Sequence, residues 1–488
     1  MNLRVKSIKA VFWSGADVFI RHGIQFFVTI FLARLLAPED FGVIAMLYVF
    51  IGLASVFIDS GFSSSLIQRQ DITDVDESTV FFFNLGMASL MSLMICVSAP
   101  WIAAFFGIPI LQPLTYVMAL NMFIGAFSSI HNTLLTKELD FKIVMKVGGV
   151  ATLSSGLLAI LMAWWDYGVW SLAWQTVLSA LISAGLLWRW HPWRPRWVFS
   201  LTSLRRLFRF GGYMMLSGLM DAIYTRFYAV LIGKFYSARE LGFYTRADTT
   251  QQLPVGLLSK VLNRVAFPVF SEAASDSERL ARGVRKVLVT IMLLNIPAML
   301  GLSVLAEPIV VTLFGQKWLP SVPFLQVLSL AGVIWPLHVI NLNVLMAQGR
   351  SDLFFRIEVI KKVVGVLLLV LASMHSVMAI AWMRVLSGLI GFFINAHYSG
   401  VLLGYGAWRQ LRDILPYACV GTVMAMVVWG GSQMLNWPPA AELVALTVMG
   451  ASLYFVSCHL LRLAAFKEIL AIIGAEKNGS RKIDKGNK

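Results

Sequence analysis

Fourteen stretches of this chain read as membrane crossings, and no loop between them exceeds about 25 residues. A crossing helix needs about 20 mainly apolar residues. The stretches fall at approximately 10–31, 41–65, 80–104, 112–135, 146–165, 168–188, 210–233, 245–270, 286–306, 322–346, 357–374, 377–402, 414–431 and 440–461, the second and eighth being less apolar than the rest. Composition agrees: 58% of residues are hydrophobic and 13% charged, where soluble domains carry about a quarter charged. The expectation is an all-α polytopic membrane protein. Loops this short leave no room for a separate soluble domain, which removes most enzyme readings. The basic start "MNLRVKSIKA" imitates a signal peptide. The run behind it is too long for one, is broken by Asp17 and Arg21, and lacks a small-residue cleavage site. It reads as the first retained span.

Net charge is +15. With the N-terminus placed in the cytoplasm, the inner segments hold 30 of the 40 Lys and Arg. The outer loops hold five: Arg34, Lys234, Arg239, Arg246 and Lys317. That asymmetry is the positive-inside pattern, and an even number of spans puts both termini inside. The expected location is a membrane, crossed many times, with both termini on its cytoplasmic side.

The chain also repeats itself. "ARLLAPEDFG" at 33–42 matches "GKFYSARELG" at 233–242, an offset of 200, and "AWQTVLSALI" at 173–182 matches "AWMRVLSGLI" at 381–390. Six spans followed by six related spans in the same orientation make a parallel repeat, and such halves commonly enclose a site between them. The domain reading is therefore a six-helix bundle over 1–198, a second over 199–404 with an interfacial helix at its start, and two extra helices with a basic tail over 405–488. A central cavity between the bundles is expected.

Within the first span, Ser14, Asp17, Arg21, Gln25 and Thr29 are spaced 3, 4, 4 and 4, so they share one helical face. At offset 200 stand Met214, Ser217, Asp221, Thr225 and Ala229, so the polar stripe recurs with Asp221 in the place of Arg21. Ionisable residues at membrane depth cost several kcal/mol when unpaired and point to function by default. Two readings stand: an i,i+4 ion pair of Asp17 with Arg21 that glues helices, or a watered cavity facing both stripes. Arg226 lies about 140° around from Asp221, so it faces either that cavity or a neighbouring helix. Lys260 and Arg264 share a face of the eighth span; they suit a pyrophosphate, which Arg binds bidentately, or snorkel to headgroups. Arg384 adds another mid-membrane cation. Asp59, in "FIDSGFSSSLIQRQ", either holds a coupling ion or caps a break at Gly61. Asp17 and Asp221 are the other ion-coupling candidates, for H⁺ or Na⁺.

The remaining motifs yield little chemistry. The three cysteines, Cys96, Cys419 and Cys458, have no metal or disulfide spacing, and the seven histidines are scattered. No metal, cofactor or catalytic residue is expected. No Gly-rich phosphate loop with its Lys is present. "TDVDES" at 73–78 resembles an Asp-x-Asp metal motif but opens a helix, where acids favour the dipole. "WRWHPWRPRW" at 188–197 and "SLTSLRRLFRFGGY" at 200–213 read as an interfacial helix on anionic lipid rather than a nucleic-acid site.

Four stretches, "DSGFSSSLIQRQDI" at 59–72, "LLTKELDF" at 134–141, "RVAFPVF" at 264–270 and "LFGQKW" at 313–318, resemble the polysaccharide flippases of the multidrug/oligosaccharidyl-lipid/polysaccharide exporter superfamily, in particular its colanic-acid-exporter-like branch. The resemblance covers nearly the whole chain. It implies translocation of undecaprenyl-diphosphate-linked oligosaccharide to the periplasmic leaflet for exopolysaccharide or lipopolysaccharide synthesis. It also implies membrane lipids as surroundings, polymerase machinery as a downstream partner and suspected ion coupling. It carries over no site residue. The competing readings are a multidrug or cation antiporter of the same fold, against which the basic excess among the mid-membrane charges argues, and a membrane-embedded polymerase or ligase, which would want a larger outer loop.

Overall fold

The computed structural model describes residues 3–273, 276–434, 437–468 and 471. The described residues form α1 (Leu3–Leu35), α2 (Pro38–Asp59), α3 (Phe62–Gln68), α4 (Asp74–Phe106), α5 (Leu111–Glu138), α6 (Phe141–Trp164), α7 (Val169–Trp190) and α8 (Leu201–Phe235). They continue as α9 (Ala238–Glu272), α10 (Ser277–Val304), α11 (Ala306–Phe314), α12 (Val322–Ala347), α13 (Ser351–Ser373), α14 (Val377–Leu403), α15 (Ala407–Met434) and α16 (Pro439–Leu460), with a short 3₁₀ turn at Gln316–Ser321. The protein is all-α, as expected. Twelve of these helices are long and apolar enough to cross a membrane. Two of the expected fourteen, on α9 and α13, are not among these twelve: α13 carries Arg356, Glu358, Lys361 and Lys362, and the second half of α9, with Lys260 and Arg264, lies partly outside the described side chains.

Helix ends are set by local chemistry. Pro38 opens α2, and the Ala37 backbone N–H donates to Asp40 Oδ2 at 2.9 Å. Thr73 caps α4 and exchanges hydrogen bonds with Asp76, a capping box. Such caps stabilise by about 1 kcal/mol each. The "TDVDES" acids are therefore helix-start residues. α2 stops at Ser60 and Gly61, both in the left-handed region (φ 47° and 73°), so the second expected span is broken into α2 and α3.

Packing divides the chain into two compact units, 1–245 and 246–488. This division differs from the repeat boundary near 198, because α8 belongs to the second repeat by sequence yet packs on α2, α3 and α4. The start of α8, read from sequence as a separate interfacial helix, is continuous with the span. Leu207 is fully buried among Phe62, Leu66, Val80, Phe81 and Leu134. Arg206 donates to the buried Asp76 at 2.6 Å. In the first unit α1 packs on α6, α6 on α7, and α4 and α7 on α5. In the second, α12 packs on α10 and α14, and α15 joins α10 to α16, around a core that includes Leu288, Ile296, Ile340, Phe392 and Tyr417.

Glycine decides two of the close approaches in the first unit. A methyl group at Gly42 would lie 1.7 Å from the Ala238 carbonyl oxygen, and one at Gly242 would lie 1.9 Å from the Pro38 oxygen. The two glycines are the offset-200 pair of the repeat, so the duplicated motif packs reciprocally on itself. Both obstacles are backbone, so neither can swing aside. Gly42→Ala or Gly242→Ala is expected to lower the melting temperature of the purified protein. Gly15→Ala and Gly23→Ala in α1, where nothing lies within 4 Å, are expected to leave it unchanged or raise stability by up to about 1 kcal/mol. Equal tolerance of all four would refute the packing role.

Candidate functional site

The polar stripe of α1 forms as the spacing requires. Asp17 is 6% exposed and ion-paired with Arg21, whose side chain is 45% exposed. Asp17 Oδ1 is buried with no hydrogen-bond partner. The Arg21 side chain lies along Gly148 of α6, where a methyl would stand 3.0 Å from its Cδ and Nε. Gly156, one further turn-pair along α6, receives Val28 the same way. Small residues on α6 thus let α1 approach closely, as is common between membrane helices. Gln25 is exposed and donates to Thr29 Oγ1 at 3.4 Å. On α8, Asp221 and Thr225 are also exposed, and the Thr225 hydroxyl donates to the Asp221 carbonyl.

The other sequence candidates go elsewhere. Arg226 turns to α2, donates to the Tyr48 carbonyl at 2.9 Å and lies against Gly52. The half-buried Asp59 accepts from the Ser63 hydroxyl, which itself accepts from Thr133 at 2.9 Å; this caps the break between α2 and α3. Arg384 pairs at 2.8 Å with Asp248 of α9, whose other oxygen accepts from Gln252 at 2.8 Å. Lys260 and Arg264 lie on α9, but their side chains fall outside the described residues. Among the described residues no group of His, Cys, Asp and Glu could hold a metal ion.

Sequence reasoning missed three clusters. Asp248 sits in a polar run of α9, and nothing in its spacing pointed to Arg384. Arg246, counted among outer-loop residues, is buried between the rings of Phe314 and Trp318, at 5.1 and 5.0 Å. Both rings belong to "LFGQKW". His131 and His191, 60 residues apart, meet Nδ1 to Nδ1 at 3.0 Å in a buried contact.

Residues 31–323 match the model of the polysaccharide biosynthesis protein family. The chain belongs to that family. It is 28% identical to the teichuronic acid biosynthesis protein TuaB of Bacillus subtilis, over 78% of this chain and 79% of that one. It is 27% identical to the lipopolysaccharide biosynthesis protein WzxC of Escherichia coli, over 74% of each. It is also 28% identical to the succinoglycan biosynthesis transport protein ExoT of Rhizobium meliloti, over 66% of each. Among solved structures, the lipid II flippase MurJ in an inward closed conformation superposes with a TM-score of 0.77 at 15% identity, covering 94% of this chain and 100% of that one. An inward-facing MATE multidrug transporter gives 0.61 at 17% identity, covering 82% and 100%. These two likenesses establish the fold. For this member of the polysaccharide biosynthesis family, Asp17, Arg21 and Gln25 precede the matched residues and Arg384 follows them, so their roles rest on geometry.

The histidine pair makes a testable claim on pH. Burial holds the His191 imidazole below its usual 6.5; Glu138 opposes this and Arg194 adds to it. The unfolded chain therefore binds that proton more readily than the fold, so stability is complete above about pH 6.5 and falls as pH drops below it. The melting temperature in detergent should decline from about pH 7.5 to about pH 5.5, and His191→Gln should flatten the decline. Identical slopes in both proteins would remove His191 as the source.

Proposed function

We propose that this protein is a flippase carrying undecaprenyl-diphosphate-linked oligosaccharide from the cytoplasmic to the periplasmic leaflet of the bacterial inner membrane, where polymerase machinery takes it up. Support comes from the family and its relatives, among them a probable low-salt glycan biosynthesis flippase of Haloferax volcanii, and from a fold of the lipid II flippase type. Both termini are cytoplasmic in this reading, on the Lys and Arg asymmetry.

The observation that carries the site is Arg21, a half-exposed guanidinium at membrane depth beside a buried acid. A saccharide diphosphate cannot cross about 30 Å of hydrocarbon unaided. A polar path shields the headgroup, and a guanidinium offers its phosphates two parallel hydrogen bonds. The isoprenoid tail stays in lipid. Arg21 leaves Asp17 only if something else meets the carboxylate, since an unpaired buried charge costs several kcal/mol. A proton or Na⁺ on Asp17 fills that role, which makes Asp17 the favoured coupling residue over Asp59, already engaged as a cap. Alternating access between the two repeats moves the loaded site from one leaflet to the other. The multidrug antiporter reading shares the fold and would want acids exposed to a cationic drug; on α1 the acid is buried and the base exposed, while the exposed Asp221 of α8 is the acid such a drug would meet.

Arg21→Ala should abolish polymer export and leaflet-resolved flipping of the lipid-linked saccharide while insertion and expression stay normal. Arg21→Lys should keep partial activity, because an ammonium retains the charge without the planar fork. Wild-type flipping by Arg21→Ala would sink the assignment, and drug resistance lost in place of polymer in a deletion strain would favour the antiporter.

A further inference from the structure

A pocket of about 430 Å³ opens where the C-terminal ends of α3 and α5 meet the start of α4. Its polar lining is Gln70, Glu77, Thr136, Lys137 and Glu138, with Ile67 at its edge. Ligand pockets start at about 300 Å³ and combine apolar walls with a few convergent polar groups. Here Leu134 and Leu139 supply further wall.

One of the polar groups, Glu77, is bonded by the Trp193 side chain. The Thr73–Asp76 capping box and the Arg206–Asp76 bond fix the helix turn that presents Glu77. His191 Nε2 stands 3.9 Å from Glu138 Oε2. Leu139, in the left-handed region (φ 61°), caps the C-terminal end of α5, and its N–H donates to the Thr136 carbonyl at 3.2 Å. The lining comes from two distant stretches, 67–77 and 134–139.

The charge balance selects the ligand. Two carboxylates against one ammonium disfavour a phosphate. Lys137 in the same lining disfavours a metal. Carboxylates and an amide facing apolar wall suit hydroxyl groups on a ring with apolar faces. We propose that this pocket is a saccharide-recognition site, taking the sugar portion of the lipid-linked substrate and separate from the phosphate-binding Arg21. The assignment rests on the flippase reading for the identity of that sugar. It gives the protein a place to read which saccharide it carries, since a site built to bond hydroxyls rejects analogues that leave its polar groups unpaired.

The test uses the full-length protein in nanodiscs. The probes are oligosaccharides freed by mild acid from the lipid-diphosphate pool of the strain that carries the gene, and inorganic pyrophosphate. Saccharide binding, read by saturation-transfer NMR, should be present in the wild type and at least tenfold weaker in the Gln70→Ala/Glu138→Gln double variant. Both side chains are exposed, so the fold should survive; unchanged pyrophosphate binding verifies that. Ile67→Trp, which fills the mouth from an exposed position, should also block the saccharide. Arg21→Ala should lose pyrophosphate and keep saccharide. No saccharide binding by the wild type, or equal binding by both pocket variants, overturns the proposal. Pocket-dependent saccharide binding in a wild type that flips no lipid-linked saccharide would overturn the flippase reading and leave the pocket standing.

Discussion

Charge at membrane depth must be met inside the protein, and this constraint organises both units. In water an exposed Asp–Arg pair is worth about 0–1 kcal/mol. In a span each unpaired charge costs several kcal/mol, so partner choice decides helix placement. Asp17 takes Arg21 on its own helix. Arg226 takes a backbone carbonyl of α2, through the space that Gly52 leaves open. Arg384 takes Asp248 across helices. The three solutions differ in what they leave available. Arg226 and Asp59 are spent on structure. Arg21 keeps nearly half of its surface open while its partner keeps almost none, so the base is available to a ligand and the acid is not.

The basic excess of the chain is organised further along the linker that leads into α8. Arg196 pairs with Asp74 at 2.7 Å, the Arg196 N–H donates to Ser78 and the Ser200 N–H to Thr79. Trp188, Trp193, Phe81 and His131 pack edge to face around them. Aromatic pairs of this kind add about 0.5–1.5 kcal/mol each beyond burial. The "WRWHPWRPRW" segment is thus a strap over the start of α4. Trp188 and Trp193 pack on protein, whereas Trp197 is exposed.

The helical class, the stripe on α1 and the duplication were legible because each rests on a period. Apolar length gives spans, a spacing of three and four gives a face, and an offset of 200 gives the repeat. What stayed hidden depended on contacts between residues far apart in the chain. His131 and His191 look scattered in sequence, and Asp248 looks like one more polar residue in a weak span. The break at Ser60–Gly61 was signalled by one glycine, yet the run around it was apolar enough to hide two helices within one crossing. Arg226 was ambiguous because its angle around α8 excludes the stripe without naming α2.

The reciprocal glycines tie the repeat to the mechanism. Gly42 meets Ala238 and Gly242 meets Pro38, so each copy of the motif supplies both the gap and the backbone that fills it. A duplicated sequence can pack on itself this way only about a pseudo-two-fold axis, which makes the match at offset 200 a physical contact and not merely a trace of ancestry. Glu39 and Arg239 flank it at 3.9 Å, but both are exposed, so the pair adds little and the glycines decide the approach. Backbone against backbone has no rotamer to yield, so the crossing is a fixed point along α2 and α9. Side-chain pairs such as Arg206–Asp76 have rotamers and lack that rigidity.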